Sequence, residues 1–299
     1  MKRRDLFGAS LALGLGSTLP GSAQAQAPAS ATPKDFKIRN GRFRQSIMGW
    51  TFNSRMDTLA LAKLCKQIGL VAVEGIDRKF YPQILELGLE ISLVSSHGFA
   101  QGPCNPEFRE RTLEKLRDSI QAAHDANCRN VITFTGMRYE GMKEDEAAKR
   151  CIEVWQEVMP FAQEKGVTLV LEHLNSRDNS HPMKGHPGYF GDHIDFCADL
   201  VKAVGAPEHM KLLFDIYHVS IMDGDIIRRI RQHKDIIGHY HTAGNPGRQE
   251  LDDRQEINYP AILREILATG YTGYLVQEFI PTWEDHELAL RHAAMVCDV

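Results

Sequence analysis

Eight short β-type segments alternate with amphipathic segments from residue 41 onward, and this alternation constrains the fold more than any other feature. The strand candidates lie at 46–50, 71–74, 90–95, 130–135, 167–172, 210–215, 236–241 and 273–278. The helix candidates between them include 57–68, 106–126, 143–165, 192–204, 258–268 and 284–297. Eight such repeats predict one domain of the α/β class, a single (β/α)8 TIM barrel with a parallel sheet. An open doubly wound sheet is the alternative, but no G-x-G-x-x-G follows the first strand.

The first 27 residues have the organisation of an export signal. Lys2, Arg3 and Arg4 precede a short apolar run at 8–19, and Ala23-Gln24-Ala25 provides an A-x-A cleavage site. The Arg3-Arg4 pair resembles a twin-arginine signal, and an ordinary secretory signal is the alternative. We therefore expect a periplasmic or secreted protein in which residues 1–27 are removed, residues 28–40 form a flexible lead-in and residues 41–299 form the barrel.

Charge and cysteine usage narrow the classes of partner. The chain carries a formal net charge of −4, and loss of the basic signal segment makes the mature chain more acidic. An acidic surface argues against nucleic acid as a partner, and no later apolar run is long enough to cross a membrane. The six cysteines are scattered without a C-x-x-C, so we expect buried thiols, although export leaves pairing open. The oligomeric state is also left open, and a homodimer through barrel helices is compatible with the fold.

Four residues of metal-ligand type each close one of the last four strand candidates. They are Glu172, Asp215, His241 and Glu278. The C-terminal ends of barrel strands form the active face, so these side chains are expected to point at one place. Three carboxylates and one imidazole suit Mn²⁺ or Mg²⁺, with Co²⁺ as a further option, better than a structural zinc.

This ligand set suggests proton chemistry on a small carbonyl substrate. A divalent cation can polarise a hydroxy-carbonyl group and acidify the adjacent C–H bond, so that proton removal gives a metal-stabilised enediolate. Glu172 and Glu278 lie on strands 5 and 8 and can approach the substrate from opposite sides, as a catalytic acid–base pair. His239 lies two residues before His241, so it should point deeper into the barrel, as a supporting group or a core histidine.

Other residues at the same strand ends are candidates for substrate binding. The predicted substrate-binding residues are Trp50, Glu74, His97, His218 and Arg248. The three-residue step from Asp215 to His218 lets the first hold metal while the second reaches a substrate oxygen. Arg248 follows a Pro-Gly turn and can place a guanidinium over the barrel mouth. Residues 175–191 form a long loop after strand 5, and their position favours a lid.

Several motifs in order resemble the hydroxypyruvate isomerase group of the xylose isomerase-like TIM barrel superfamily. The stretch 171–178 with 187–190 resembles that family's E-P-I-N-x-R-D-x-P-G-Y-F, and 214–218 resembles its D-x-Y-H. Residues 237–248, 256–259, 270–273 and 278–281 resemble I-G-H-x-Q-x-A-x-x-P-G-R, E-I-N-Y, G-Y-x-G and E-Y-x-P. The resemblance implies a single-metal barrel in which the four aligned residues are the ligands and the two glutamates exchange the proton.

Three departures from that pattern leave the substrate open. His241 stands where hydroxypyruvate isomerases usually carry Gln and ketose 3-epimerases carry His, the loop gains residues 179–186, and strand 4 ends in Thr135 without a nearby histidine. The leading prediction is a divalent-metal-dependent aldose–ketose isomerase acting on a small hydroxy-keto acid or sugar. One alternative is an epimerase or lyase acting on a ketose or 3-keto-sugar in the periplasm. A second alternative is a non-catalytic periplasmic sugar-binding barrel.

Overall fold

The structure is a computed structural model that describes residues 32–299. The predicted export signal at 1–27 therefore lies outside the described residues. In the described part of the chain, no helix is both long enough and apolar enough to span a bilayer.

Eight parallel strands form the sheet, in the spatial order β3-β2-β1-β8-β7-β6-β5-β4. Their bounds are β1 Arg44–Met48, β2 Ala72–Glu74, β3 Glu90–Ile91, β4 Asn130–Thr133, β5 Thr168–Glu172, β6 Met210–Asp215, β7 Ile237–Thr242 and β8 Tyr274–Gln277. A parallel bridge between Val94 and Val131 joins the remaining two edges, with the Val94 N–H donating to the Asn130 carbonyl at 2.9 Å. The predicted (β/α)8 barrel is thus confirmed.

Nine helices of the described chain surround the sheet. Their bounds are α1 Thr58–Ile68, α2 Tyr81–Glu86, α3 Arg109–Asp125, α4 Glu144–Lys165, α5 Ile194–Val204, α6 Ile216–Met222, α7 Ile226–His233, α8 Tyr259–Ala268 and α9 His286–Val296. The six predicted helices are confirmed to within about three residues at each end. The short helices α2, α6 and α7 were not predicted, because few residues are available in each to show a helical period.

Local signals place the ends of the longer helices. Asp57 caps α1 by accepting hydrogen bonds from the Leu59 and Ala60 N–H groups, and Gly69 ends it in the left-handed conformation at φ 100°. Asp215 closes β6 and also caps α6, accepting from the N–H groups of Tyr217 and His218. Because one residue is both strand end and cap, β6 passes into α6 without a loop. That junction fixes the direction of the Asp215 carboxylate.

The core has two parts, as expected for a barrel. A large apolar cluster lies between the sheet and the helices, and a smaller one fills the inside of the barrel. The smaller cluster consists of Leu93, Ile132, Phe134, Val170, Leu174, Tyr189 and Leu213. All six cysteines are buried and none forms a disulfide.

Residues 32–40, part of the predicted flexible lead-in, are anchored on the end of the chain. The Asp298 carboxylate accepts hydrogen bonds from the backbone N–H groups of Arg39 and Asn40 at 2.7 and 3.0 Å. Thr32 contacts the His292 ring at 2.7 Å, and Phe36 is buried. The chain therefore closes the N-terminal side of the barrel before β1 begins.

Candidate active site

The four predicted metal ligands come together at the C-terminal ends of β5 to β8. The ligand atoms of Glu172, Asp215, His241 and Glu278 all lie within 4.8 Å of one another, and all four side chains are buried. The pairing register explains the convergence, because Asp215 lies beside His241 on neighbouring parallel strands. Glu278 follows directly after β8, with its N–H donating to the Thr242 carbonyl at 2.8 Å. We call these four residues the acidic cluster.

The acidic cluster has the composition and the unmet bonding capacity of a cation site. The Nδ1 atom of His241 lies 2.6 Å from an oxygen of Glu278 and 3.5 Å from one of Glu172. One oxygen of Glu172 is buried and accepts no hydrogen bond within the described chain. A buried carboxylate oxygen without a partner is costly, and a hard divalent cation would satisfy it. The residues present therefore fit a divalent metal.

The two glutamates of the cluster differ in protonation because their surroundings differ. Burial and the nearby Glu278 raise the pKa of Glu172 to about 7. Burial also opposes ionisation of Glu278, but Arg248 and His241 outweigh it and lower the pKa of Glu278 to about 2. In the metal-free cluster the two carboxyls therefore bind a proton with different affinities, and a cation held by both would lower both pKa values.

A buried network beneath the cluster orients His241. Its Nε2–H donates to Glu74 at 2.9 Å, and the other oxygen of Glu74 accepts from Ser92 at 2.6 Å and from His239 at 3.0 Å. With Nε2 engaged in this way, Nδ1 is the atom that faces the acidic cluster. Hydrogen bonding to a carboxylate is the usual way in which a metal-ligating histidine is held.

This network includes Glu74, which was predicted to bind substrate. Its side chain is fully buried and lies outside the lining of the cavity described below, and its contacts are with His239, His241 and Ser92. The sequence could not show this environment, because Glu74 ends its strand as the residues of the acidic cluster end theirs. In the structure Glu74 lies beneath the cluster, in contact with His239 and His241. His239 points inward as expected, and its contact with Glu74 makes it a supporting group rather than a purely apolar core residue.

Arg248 bridges two members of the cluster. Its Nη2 lies 2.6 Å from Glu278 and 3.3 Å from Asp215, and its Nη1–H donates to the Met183 carbonyl at 2.8 Å. The guanidinium lies over the rings of Trp50 and Tyr217, 5.5 and 5.6 Å from their centroids. Its Nε–H is buried and has no partner in the described chain. That donor is available to a substrate oxygen.

His218 is held as a single neutral tautomer. Its Nδ1 accepts hydrogen bonds from the backbone N–H and the side-chain amide of Asn175, at 3.1 and 2.7 Å. Because both partners are donors, the proton lies on Nε2, which is 3.5 Å from a carboxylate oxygen of Asp215. Burial, with a smaller effect of Arg248, lowers the pKa of His218 well below its usual value.

A cavity of about 250 Å³ opens over the acidic cluster. The predicted site residues that line it are Trp50, Glu172, Arg248 and Glu278. Its other walls are mainly apolar and include Leu93, Phe99, Phe134 and Leu174, with Met183 and His186 from the 175–191 loop. Asp215, His218 and His241 lie behind this lining. The sequence predicted that residues 175–191 lie over the site. It did not identify Phe99, Met183 or His186 as site residues, since none belongs to a recognisable motif.

His97, which was predicted to bind substrate, lies next to the cavity but is not part of its lining. Its Nδ1–H donates to the Gln101 carbonyl at 3.0 Å, and its Nε2 lies 3.0 Å from the Thr133 hydroxyl. Thr133 in turn accepts from the Trp155 indole N–H at 2.9 Å. Both ring nitrogens are therefore used to tie the segment after β3 to β4, where the barrel closes.

The fold and the acidic cluster define a class, that of the α/β barrels with a candidate cation site at the C-terminal ends of their strands, and comparison with known proteins identifies the family. The family model described as xylose isomerase-like TIM barrel matches residues 64–297. The chain belongs to the xylose isomerase-like TIM barrel family.

The relatives of this chain include proteins named as isomerases. The chain is 34% identical over 141 residues to the 2-oxo-tetronate isomerase of Cupriavidus necator, a match that covers 46% of this chain and 51% of that protein. The chain thus spans about half the length of this relative. It is 27% identical over 256 residues to the putative hydroxypyruvate isomerase of Xenopus laevis, covering 80% of this chain and 90% of that one.

A solved structure supports the same fold. The family 2 AP endonuclease of Brucella melitensis superimposes with a TM-score of 0.72 at 25% identity, covering 83% of this chain and 96% of that chain.

Proposed function

We propose that this protein is a divalent-metal-dependent isomerase that moves a proton between neighbouring carbons of a small hydroxy-keto acid or sugar. The observation that carries the proposal is the position of Glu172 and Glu278, which line one cavity and lie with Asp215 and His241 in the acidic cluster. A protein that only bound a sugar would need no such pair. The named isomerase relatives support the same class of reaction.

The chain's own residues divide the work. Glu172, Asp215, His241 and Glu278 would hold the metal, which supplies Lewis-acid polarisation of the substrate carbonyl. One of the two glutamates would remove a proton from the hydroxyl-bearing carbon next to the carbonyl, and the other would deliver a proton to the former carbonyl carbon. The hydroxyl proton passes from the first oxygen to the second, so that the carbonyl and the hydroxyl exchange places. Two carboxylates serve this purpose because their roles exchange in the reverse reaction. The glutamate that took up the proton is then the acid, and the glutamate that gave up its proton is then the base.

Arg248 and His218 complete the reacting end of the site. The free Nε–H of Arg248 is directed to a substrate oxygen, and the charge of its guanidinium offsets negative charge that develops on that oxygen. His218 presents a neutral Nε2–H toward Asp215, which orients that carboxylate and can share the proton with a substrate hydroxyl. Trp50 forms the wall against which Arg248 is held.

Epimerisation at one carbon is the second candidate, since it uses the same proton removal followed by delivery of a proton to the opposite face of the same carbon. His241 favours it, because this cluster includes an imidazole at the position where the motif comparison places Gln in hydroxypyruvate isomerases and His in ketose 3-epimerases. The two reactions differ in their product alone, so the measurement described next separates them.

Solvent deuterium exchange tests the proposal. Metal-free protein reconstituted with Mg²⁺ would be incubated in D₂O with hydroxypyruvate, tartronate semialdehyde, 2-oxo-tetronate and a panel of ketoses, and followed by NMR. We expect deuterium at the carbon next to a carbonyl, loss of exchange after metal removal, and a fall of about 10²–10⁴-fold in Glu172→Gln and Glu278→Gln. Glu90→Gln, at the opposite end of the barrel, is the matched control and should exchange normally.

Two results would overturn the isomerase. Full exchange in Glu172→Gln and in Glu278→Gln would show that these residues are not the acid–base pair. Absence of exchange on every compound with metal bound would favour a sugar-binding barrel. Deuterium without a change of isomer, together with an inverted carbon, would select the epimerase.

We also propose that the protein is exported in the folded state to the periplasm. The support is the Arg3-Arg4 pair, the apolar run and the A-x-A site in residues 1–27. Fusing residues 1–40 to a folded reporter should direct it to the periplasm, and replacing Arg3 and Arg4 together by Lys should block that transfer. Export that is indifferent to the double replacement would exclude the twin-arginine route.

A further inference from the structure

The loop after β5 delivers an uncommitted imidazole into the cavity. His186 is only 8% exposed, lines the cavity with Glu172, Glu278 and Arg248, and packs on Phe99 with ring centroids 4.0 Å apart. Within residues 32–299 its ring nitrogens make no hydrogen bond, whereas the rings of His97, His218, His239 and His241 are all engaged. An imidazole in this position is available to a bound molecule.

The backbone of the loop fixes where His186 stands. The His186 N–H donates to the Asn175 carbonyl at 2.8 Å, and the Asn175 side-chain amide donates to the Lys184 carbonyl at 2.7 Å. A Cβ on Gly185 would lie 2.2 Å from the Asp178 carbonyl oxygen, so the chain passes there too closely for any side chain. The same Asn175 holds His218, so the loop and the reacting end share one anchor.

The chemistry around His186 selects the group that it can recognise. Burial, and to a smaller extent the charge of Arg248, lower the pKa of His186 to about 4, so the ring is neutral at pH 7. A neutral imidazole donates one hydrogen bond and accepts one, which matches a hydroxyl better than an anion. The remaining walls are mainly apolar, with Leu93, Ile132 and Phe134 beside Ser95 and Ser96. Arg248 is the only cationic side chain of the lining, where it pairs with the cluster carboxylates.

We propose that His186 is a specificity-determining residue that binds a hydroxyl on the uncharged end of the substrate, beyond the carbons that react between Glu172 and Glu278. This inference rests on the proposed function and refines its substrate class. The substrate extends past three carbons and carries a hydroxyl, not a phosphate or carboxylate, at the end that faces the loop. His186 lies in the segment by which this chain departs from the hydroxypyruvate isomerase motif, so the segment supplies selectivity that the shared motifs do not.

Two variants and three probes test the inference by deuterium exchange. His186→Phe keeps an aromatic ring on Phe99 and removes the hydrogen bond, while His186→Gln keeps hydrogen-bonding capacity and removes the ring. The probes are dihydroxyacetone, erythrulose and 4-deoxyerythrulose, which differ in the presence of the distal carbon and its hydroxyl. We expect His186→Phe to lower kcat/KM for erythrulose about 10–100-fold, mainly through KM, and to leave the other two probes within about twofold. His186→Gln should recover part of the loss.

Several results would overturn the inference. An equal loss of kcat/KM on all three probes would show that His186 is a general positioning residue. A wild-type protein with equal kcat/KM for erythrulose and 4-deoxyerythrulose would show that no contact with the distal hydroxyl contributes. If no probe exchanges, calorimetric titration of the same sugars into the Mn²⁺-loaded protein separates the two proposals. Erythrulose binding weakened only in His186→Phe would then retain the contact although the isomerase fails, and binding that is equal in both proteins would reject the contact.

Discussion

At the scale of single residues, identical side chains acquire different roles through their immediate neighbours. Glu74, Glu172 and Glu278 all end barrel strands, yet Glu74 is enclosed by two histidines and Ser92 whereas the other two reach the cavity. Of these two glutamates, Glu278 forms an ion pair with Arg248, whereas one oxygen of Glu172 accepts no hydrogen bond in the described chain. Position on the strand thus brings carboxylates to one face, and the neighbouring charges decide what each does.

Replacing Glu74 by Gln should weaken metal binding although Glu74 is not a ligand. The variant removes the anion that accepts the Nε2–H of His241, so Nδ1 is held less firmly and becomes a poorer ligand. We expect the affinity for Mn²⁺ to fall about 10–100-fold, measured by titration calorimetry. Glu250→Gln is the control, since Glu250 is equally buried but binds Thr282 and Trp283, away from the cluster. Equal metal affinity in Glu74→Gln and the wild type would refute the positioning role.

His97 should make the fold sensitive to mild acid. Burial lowers the pKa of His97 to about 4, below the value of about 6.5 in an unfolded chain. The unfolded state therefore binds a proton at His97 more tightly than the folded state does. The contribution of neutral His97 to the free energy of unfolding is fully present above about pH 6.5 and is lost as the pH falls toward 4. The loss should be roughly 1–2 kcal/mol, since the ring is partly exposed. Urea unfolding at pH 7.5 and 5 should show a smaller difference in His97→Gln than in the wild type.

The matched control for that titration is His124→Gln, on the exposed surface of α3. It should keep the pH dependence of the wild type. A pH dependence that is unchanged in His97→Gln would mean that protonation of other groups accounts for the whole effect.

At the scale of elements, the 175–191 loop contacts both the apolar wall of the cavity and the residues next to the acidic cluster. Met183 accepts a hydrogen bond from Arg248, His186 reaches the cavity, and Asn175 holds both the loop and His218. Changing the path of this loop should therefore disturb the site without disturbing the barrel. The expectation that the loop acts as a lid follows from its length and from this position over the cavity.

Gly185→Ala should uncouple the loop from its anchor. The added Cβ would lie 2.2 Å from a backbone oxygen of Asp178 and 2.5 Å from the side-chain oxygen of Asn175, so residues 178–185 must move outward. We expect the exchange rate to fall at least about tenfold and protease cleavage in 178–185 to increase, with an unfolding free energy reduced by about 1–3 kcal/mol. Lys184→Ala changes only a side chain next to it and should behave as the wild type. Wild-type exchange and cleavage in Gly185→Ala would show that the loop path does not matter to the site.

At the scale of the whole molecule, the parallel barrel explains why so much was predictable. Eight apolar runs alternating with helices leave few topologies, and strand ends of such a fold share one face, so Glu172, Asp215, His241 and Glu278 could be grouped without a structure. Their convergence depends on fold alone and not on local detail.

Other features depend on contacts between segments far apart in the chain, which no local pattern records. The support of His241 by Glu74 joins β7 to β2, and the occupation of both nitrogens of His97 joins the segment after β3 to Thr133. The anchoring of residues 32–40 on Asp298 joins the two ends of the chain. Likewise, His186 reaches the cavity through a loop whose path is set by tertiary contacts with Asn175. Sequence reasoning identified the four residues of the acidic cluster and missed the contacts that position them.

Titration of Mn²⁺ into the metal-free protein is the most direct test that the four strand ends form one metal centre. A single metal centre predicts one Mn²⁺ ion bound per chain. It also predicts an unfolding free energy that rises by about 2.7 kcal/mol when free Mn²⁺ is a hundred times its Kd. Asp215→Asn should lose both the bound ion and this stabilisation. The Asn side chain still caps α6, so the loss cannot come from the helix. No binding, or a second ion bound at Glu74, His239 and His241, would contradict a single centre built on the acidic cluster.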